Sequence, residues 1–248
     1  MLRILALLAT VLGTSMPAWC GDAANLNVMG FSGDGRYFAF EQYGVQDGSG
    51  FAYSDIFITD LKQNVWIKNT PLHTISGDEN ASISEIRTRA SANVAVMLQK
   101  LDIVGPADIL ASNPVTEIVP DRKTVVFDTI YRGFSSQPAP FGTPTDERYE
   151  LRVANIEFPG GDECQTEDGK IYGFSLSLRK TTTGVMTQGY RDEKVPKSRA
   201  CPLNYEIEAI ASVRNALDEA NFVAIIAYYK QGFEGPDRRF IAVPINPQ

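Results

Sequence analysis

Apolar and polar positions alternate along this chain in short bursts flanked by turn-forming residues, the pattern of antiparallel β structure. The clearest burst is Phe31-Ser32-Gly33-Asp34-Gly35-Arg36-Tyr37-Phe38-Ala39-Phe40, in which a turn feeds an apolar strand. Gly35 supplies the positive φ that such a turn needs, and the Asp34 side chain can accept from the backbone two residues on. A Gly-rich stretch over 44–50 separates this strand from Asp55-Ile56-Phe57-Ile58-Thr59-Asp60-Leu61, so the two form a hairpin with a long tip. Two weaker echoes follow. In the second unit Pro120-Asp121-Arg122-Lys123 turns into Thr124-Val125-Val126-Phe127, the strand reaches Tyr131, a loop carries Gly133-Phe134 and Phe141, and Tyr149-Glu150-Leu151-Arg152-Val153 returns. In the third, Leu217-Asp218-Glu219-Ala220 precedes Phe222-Val223-Ala224-Ile225-Ile226, the strand reaches Tyr228 and Tyr229, a loop carries Gly232-Phe233, and Arg239-Phe240-Ile241-Ala242-Val243 returns. Between the first two units the period changes. Ser82 and Glu85 have capping-box spacing, and Ile83, Ile86, Ala90, Val94, Met97, Leu98 and Leu101 share one stripe, which predicts an amphipathic helix near 82–101 that packs on a sheet and is ended by Gly105-Pro106. Further strands are expected at Ile171-Tyr172-Gly173-Phe174-Ser175-Leu176-Ser177-Leu178 and Tyr205-Glu206-Ile207-Glu208-Ala209-Ile210. No linker or low-complexity tract interrupts 25–248, so we expect one β-rich domain.

The N-terminus follows different rules. Arg3 gives a positive start, residues 4–13 are uncharged and apolar, and Pro17 precedes the small residue Ala18, which is the pattern of a cleaved secretory signal peptide over 1–20. The apolar run is shorter than the roughly 20 residues that span a bilayer, so no stable membrane insertion is expected after cleavage. Cleavage after Cys20 places Ala18 and Cys20 at the small-residue positions, whereas cleavage after Ala23 uses Gly21 and Ala23, and both remain open. Trp19 before Cys20 argues against lipid attachment. Either cut leaves Cys164 and Cys201 as the two thiols of a periplasmic or secreted chain, where one disulfide between them is the expectation. Such a bridge would contribute about 4 kcal/mol in the chain-entropy model.

Phe31-Ser32-Gly33-Asp34-Gly35, then Phe38-Ala39-Phe40 and Asp55-Ile56-Phe57-Ile58-Thr59-Asp60-Leu61, resembles one propeller blade of periplasmic TolB and of prolyl-oligopeptidase-type peptidases, with Gly33 where proline is usual. The resemblance implies a mainly β fold of blade-like antiparallel sheets, propeller-like or an incomplete propeller, and no particular activity. Over nearly its whole length, especially residues 30–61 and 221–244, the chain resembles a bacterial family of predicted secreted proteins known as a domain of unknown function, number 2259. That resemblance implies export and β-rich structure and assigns no catalytic residue.

Composition narrows the chemistry. With 23 Lys plus Arg against 30 Asp plus Glu in 248 residues, the net charge is -7, which argues against nucleic acid and anionic membrane as partners. His73, the sole histidine, sits in Pro71-Leu72-His73-Thr74, which we read as a turn, with His73 solvent-facing or structural. The nearest approach to a nucleophile elbow, Gly30-Phe31-Ser32-Gly33-Asp34, fails at its last position. No phosphate-cradling or dinucleotide motif occurs, so we expect no cofactor and no catalytic residue. The acidic stretch 162–169 fits no EF-hand loop and is read as solvated, so no metal is expected. What remains is a set of aromatic residues near loop tips: Tyr43, Phe51 and Tyr53 in the first unit, Tyr131 and Phe134 in the second, Tyr228, Tyr229 and Phe233 in the third. If the three units are equivalent, these tips gather at one end and form a surface for a protein, peptide or glycan. The expected function is therefore an exported binding or interaction module rather than an enzyme. The alternative is a carboxylate-dependent hydrolase, which would require two carboxylates close together in a cleft.

Overall fold

The computed structural model describes residues 21–114, 121–129, 147–164, 166, 168–214 and 220–245. The expected leader and the loop aromatics Tyr131, Phe134 and Phe141 lie outside them. Among the described residues the chain forms fourteen strands, paired antiparallel in three sheets, and one α-helix. The N-terminal sheet contains β1 (Asn25–Ser32), β2 (Tyr37–Val45), β3 (Ala52–Asp60), β4 (Val65–Trp66), β5 (Leu72–Ile75) and β6 (Ile103–Gly105), with α1 (Ile83–Lys100) inserted before β6. Its order is β4-β3-β2-β1-β6, and β5 pairs with β3 beside β4. The outer sheet is a meander of β8 (Thr124–Thr129), β9 (Glu147–Pro159), β10 (Lys170–Lys180) and β11 (Met186–Arg191). The central sheet joins β7 (Asp108–Ser112) to β12 (Pro202–Arg214), β13 (Ala220–Gln231) and β14 (Pro236–Ile245) in the order β14-β13-β12-β7.

The layers follow from side-chain alternation. On β13, Phe222, Ala224, Ile226 and Tyr228 join the core shared with the outer sheet, while Val223, Ile225 and Ala227 join the core shared with the N-terminal sheet. A strand buried on both faces carries no polar alternation, which is why this segment reads as an unbroken apolar run. The N-terminal sheet uses the same rule. Phe38, Phe40 and Phe57 face the central sheet, and the Phe40 and Phe57 rings stack at 4.7 Å. Ala39, Ile56 and Ile58 face Ala90 and Val94 of α1. The stack thus runs helix, N-terminal sheet, central sheet, outer sheet, and no closed propeller forms among the described residues. The first and third units share a spatial strand order, β6-β1-β2-β3 in one and β7-β12-β13-β14 in the other, although the edge strand follows the others in the first and precedes them in the third. One short segment, Ile103 to Ser112, supplies the edge strand of each.

The second unit corrects the expectation that three tips gather at one end. Phe127, near the end of β8, packs on Phe222 at the start of β13, while Lys123, before β8, bonds Asn204 and the carbonyl of Tyr205, which pairs with Tyr228 near the end of β13. Hence β8 runs opposite to β13, and its exit lies at the far end from Phe233.

The turn before β2 forms as its residues dictate: Gly35 has φ 72°, and Asp34 accepts from the Arg36 amide at 3.0 Å. The Ser82 hydroxyl accepts from the Glu85 amide at 3.1 Å and caps α1. The helix spans Ile83–Lys100 with Leu101 as its C-cap, close to the bounds its stripe predicts, and the chain turns away at Asp102 with φ 54° rather than at Gly105-Pro106, since Gly105 is already in β6. Arg87 fastens α1 through two bonds, of 3.0 and 2.8 Å, to buried Glu41 on β2, which also accepts from Ser54 and Asn27. The same guanidinium lies 3.8 Å from the centre of the Tyr43 ring. Cys164 and Cys201 are joined as expected, with Cα atoms 5.5 Å apart, tying the β9–β10 loop to the start of β12. No helix among the described residues is long and apolar enough to cross a membrane.

Two outcomes follow from this packing. Ile225→Ala empties a fully buried site between two sheets and should cost about 2–5 kcal/mol in urea unfolding, whereas a cost below about 1 kcal/mol would mean that the sheets are not packed face to face there. Burial pushes the Glu41 carboxyl up, but the bonds from Arg87, Ser54 and Asn27 outweigh it and hold the group below its ordinary value. The resulting stabilisation is complete above the unfolded value near 4.5 and is lost as pH falls through the lower folded value. Melting followed from neutral to acid pH should therefore fall more steeply for the wild type than for Glu41→Gln, and parallel profiles would contradict this role.

Candidate functional site

The central sheet ends at β14, and the layers on either side extend past that edge. On one side stand β3, β4 and β5 of the N-terminal sheet, and on the other the segment that leaves β11. The space between is a cleft of about 670 Å³ whose floor is the exposed edge of β14 from Phe240 to Val243. One wall presents Asp55, Phe57, Trp66 and His73, and the opposite wall presents Tyr190, Pro196 and Arg199.

Each wall is held by a buried charge. Arg199 donates to Asp192 at 2.6 Å, to the Tyr190 hydroxyl at 3.1 Å and to the Tyr205 hydroxyl at 3.3 Å, and its guanidinium lies 4.9 Å from the Phe174 ring centre. Asp192 in turn accepts from Tyr190 and from the Phe174 amide. Burial pushes the Tyr205 hydroxyl up to about 12, so it stays protonated across the working range and serves as an acceptor for Arg199. This network fixes an irregular segment, including a 3-10 turn at Lys197–Arg199, that has few apolar side chains of its own. At the other end of the cleft Arg239 donates to Asp22 at 2.5 Å, and Asp22 accepts from the Tyr53 hydroxyl at 2.9 Å.

The edge of β14 has a defined polarity. The Arg238 amide donates to the carbonyl of Asp22 and the Phe240 amide to the side-chain oxygen of Gln42, so both groups point away from β13. Antiparallel geometry repeats every second residue, which aims the amide and carbonyl of Ala242 the same way, into the cleft. Residues 22–24 already use this edge, bridging Arg238 as a short parallel strand.

Trp66 carries no signal in the sequence pattern, and His73 reads there only as a solvent-facing or structural residue. Trp66 is 39% exposed and meets the Phe57 ring edge-on at 5.5 Å. His73 lies in β5 and not in a turn, and its Nδ1 is 2.9 Å from an Asp55 oxygen. Asp55 also accepts from Gln42. Among the described residues that line the cleft Asp55 is the single carboxylate, so the two facing carboxylates that a glycosidase-like hydrolase requires do not meet here. Among the described residues no cluster of metal-ligating side chains is found, and those of the acidic stretch, 162–164, 166, 168 and 169, lie outside helices and strands.

The aromatic tips divide. Tyr53 and Tyr228 are buried, at 3% and 7% exposure, and pack in the cores rather than on an open loop surface, with Tyr228 also bordering the cleft. Their rings belong to different cores, that of Tyr53 facing the central sheet and that of Tyr228 facing the outer one. Tyr43 is half-buried beneath Arg87 on the helix side, and half-buried Tyr229 donates to Glu206 at 3.0 Å. Phe51 is half-buried, while Phe233 is 82% exposed. The first and third tips do meet: the Glu234 amide donates to Asp47 at 2.9 Å, and Gly48 lies under the Phe233 ring.

A family model described as predicted secreted protein (DUF2259) matches residues 39–246. The chain belongs to that family of predicted secreted proteins. Neither the curated proteins nor the solved structures contain a match to it.

Replacing Arg199 by alanine would strand Asp192 as a buried, unpaired carboxylate. Thermal melting should show a loss equivalent to about 3–5 kcal/mol, and proteolysis should begin within the segment from Glu193 to Ala200. A variant that melts like the wild type would remove the ion pair as the support of that wall.

Proposed function

We propose that this chain is an exported, periplasmic or secreted binding module that takes an extended polypeptide segment into the cleft as an added strand on β14. The observation that carries the proposal is the outward backbone of Ala242, an edge amide and carbonyl facing a cleft walled by the N-terminal sheet on one side and by the end of β11 with the segment that leaves it on the other. An extended chain entering between those walls would continue the central sheet, pair with Ala242, and lay alternate side chains against Trp66 and Phe57 on one side and Tyr190 on the other. Membership in a family of predicted secreted proteins supports the exported setting. A second reading places the partner on the joined hairpin tips, and it is favoured by the exposure of Phe233.

Peptides selected from a random library on the intact protein, then measured by calorimetry, separate the two readings. Ala242→Pro removes the outward amide while leaving the ladder to β13 intact, as Pro244 already does one step further along the edge. That change and Trp66→Ala should each weaken binding about tenfold, the equivalent of one hydrogen bond or one exposed aromatic contact, and Phe233→Ala should leave it unchanged. Binding lost with Phe233→Ala and kept with the other two would move the site to the tips. Selection of no peptide at all would overturn both readings.

A further inference from the structure

Residues 21–24 are built into the folded body. Asp22 is 5% exposed, and every polar group it carries is used. Its carboxylate accepts from Arg239 and from the Tyr53 hydroxyl, its carbonyl accepts from the amide of Arg238 and from Arg239, and its amide donates to Asp237 at 3.1 Å. Ala24 closes the bridge, its amide donating to the carbonyl of Arg238 and its own carbonyl accepting from the Arg238 side chain. Gly21 passes so close to β14 that a Cβ there would lie 2.3 Å from the carbonyl oxygen of Pro236, which only glycine avoids.

These contacts discriminate between the two cleavage positions that the sequence leaves open. A cut after Ala23 discards Asp22. Arg239, with its side chain 11% exposed, would then lose its closest carboxylate and keep Asp237 at 3.8 Å and the carbonyl of Arg238 at 2.8 Å, and the Tyr53 hydroxyl would lose its acceptor inside the core. A buried guanidinium that loses its close carboxylate destabilises the fold strongly. A cut after Cys20 keeps the whole network and satisfies the small-residue rule with Ala18 and Cys20.

We infer that the export leader is removed between Cys20 and Gly21, and that the new N-terminal segment is the edge strand that locks β14 and sets Arg239 at the end of the cleft. The inference rests on the leader being an export signal and does not depend on what the cleft binds. In the step, a leader peptidase hydrolyses the Cys20–Gly21 amide: the carbon–nitrogen bond breaks, the oxygen of water goes to the Cys20 carboxylate, and the glycine nitrogen leaves as an amine. The mature chain then holds Cys164 and Cys201 as its two cysteines, with no third thiol to compete for the bridge.

The test is intact mass and N-terminal sequencing of the full chain after export from a bacterial host. We expect a chain that begins at Gly21. A start at Ala24 would overturn the inference while leaving export intact, and retention of residues 1–20 on exported or cytosolic protein would overturn the leader as well. Two variants guard the result. Ala18→Tyr puts a bulky residue at a required small position and should block processing at this bond, whereas a cut after Ala23 would be indifferent to it. Asp22→Ala should be cut at the same bond yet melt several degrees lower, and an unchanged melting temperature would show that the segment is not locked.

Discussion

A sheet covered on both faces is the constraint from which the rest of this structure follows. Side chains of β13 alternate between two separate cores, so the central sheet cannot exist without a layer on each side of it. That requirement explains the order of the chain in space. The N-terminal sheet forms first along the sequence, the outer sheet is a local meander, and the strands that complete the centre come last and insert between them. The segment from Ile103 to Ser112 enforces the arrangement, because it gives β6 to one layer and β7 to the next within a few residues.

Sandwiching also decides where polar chemistry can sit. Three buried carboxylates sit at the borders of the layers, each with an arginine: Glu41 with Arg87 under the helix, Asp192 with Arg199 along one cleft wall, Asp22 with Arg239 at its end. Their side-chain positions are therefore fixed by desolvation as much as by attraction, since a buried charge without its partner is costly. The cleft is the direct result. The flanking layers extend beyond β14, while the central sheet stops, leaving a slot bordered by aromatic rings and polar backbone.

Much of the local structure was legible because it rests on near neighbours. The hairpin at 31–61 follows from Gly35 and Asp34, the helix from the Ser82 cap and its apolar stripe, and the pairing of Cys164 with Cys201 from the export setting. The antiparallel sheets are present, and the first and third units share a spatial strand order. The grouping of all tips failed for a physical reason. A sequence echo fixes strand and turn but not direction, and β8 enters its layer opposite to β13. Tyr53 and Tyr228 went inside because a tyrosine near a strand end is drawn to the core whenever its hydroxyl finds water or a partner, and Tyr53 finds Asp22, far away in sequence at the other end of the chain from Arg239.

The sequence alone determined that this is an exported-type, mainly β chain with one amphipathic helix, one disulfide and no recognisable catalytic motif. Those properties depend on composition, period and short-range turn chemistry, which are written in consecutive residues. Only the tertiary structure decided that the third unit lies between the first and second, that Trp66, His73 and the β14 edge share one cleft, and that Asp22 belongs to the folded body. Each of these depends on which faces are buried against which, and burial is a property of layers brought together from distant parts of the chain, with no trace in the spacing of neighbours.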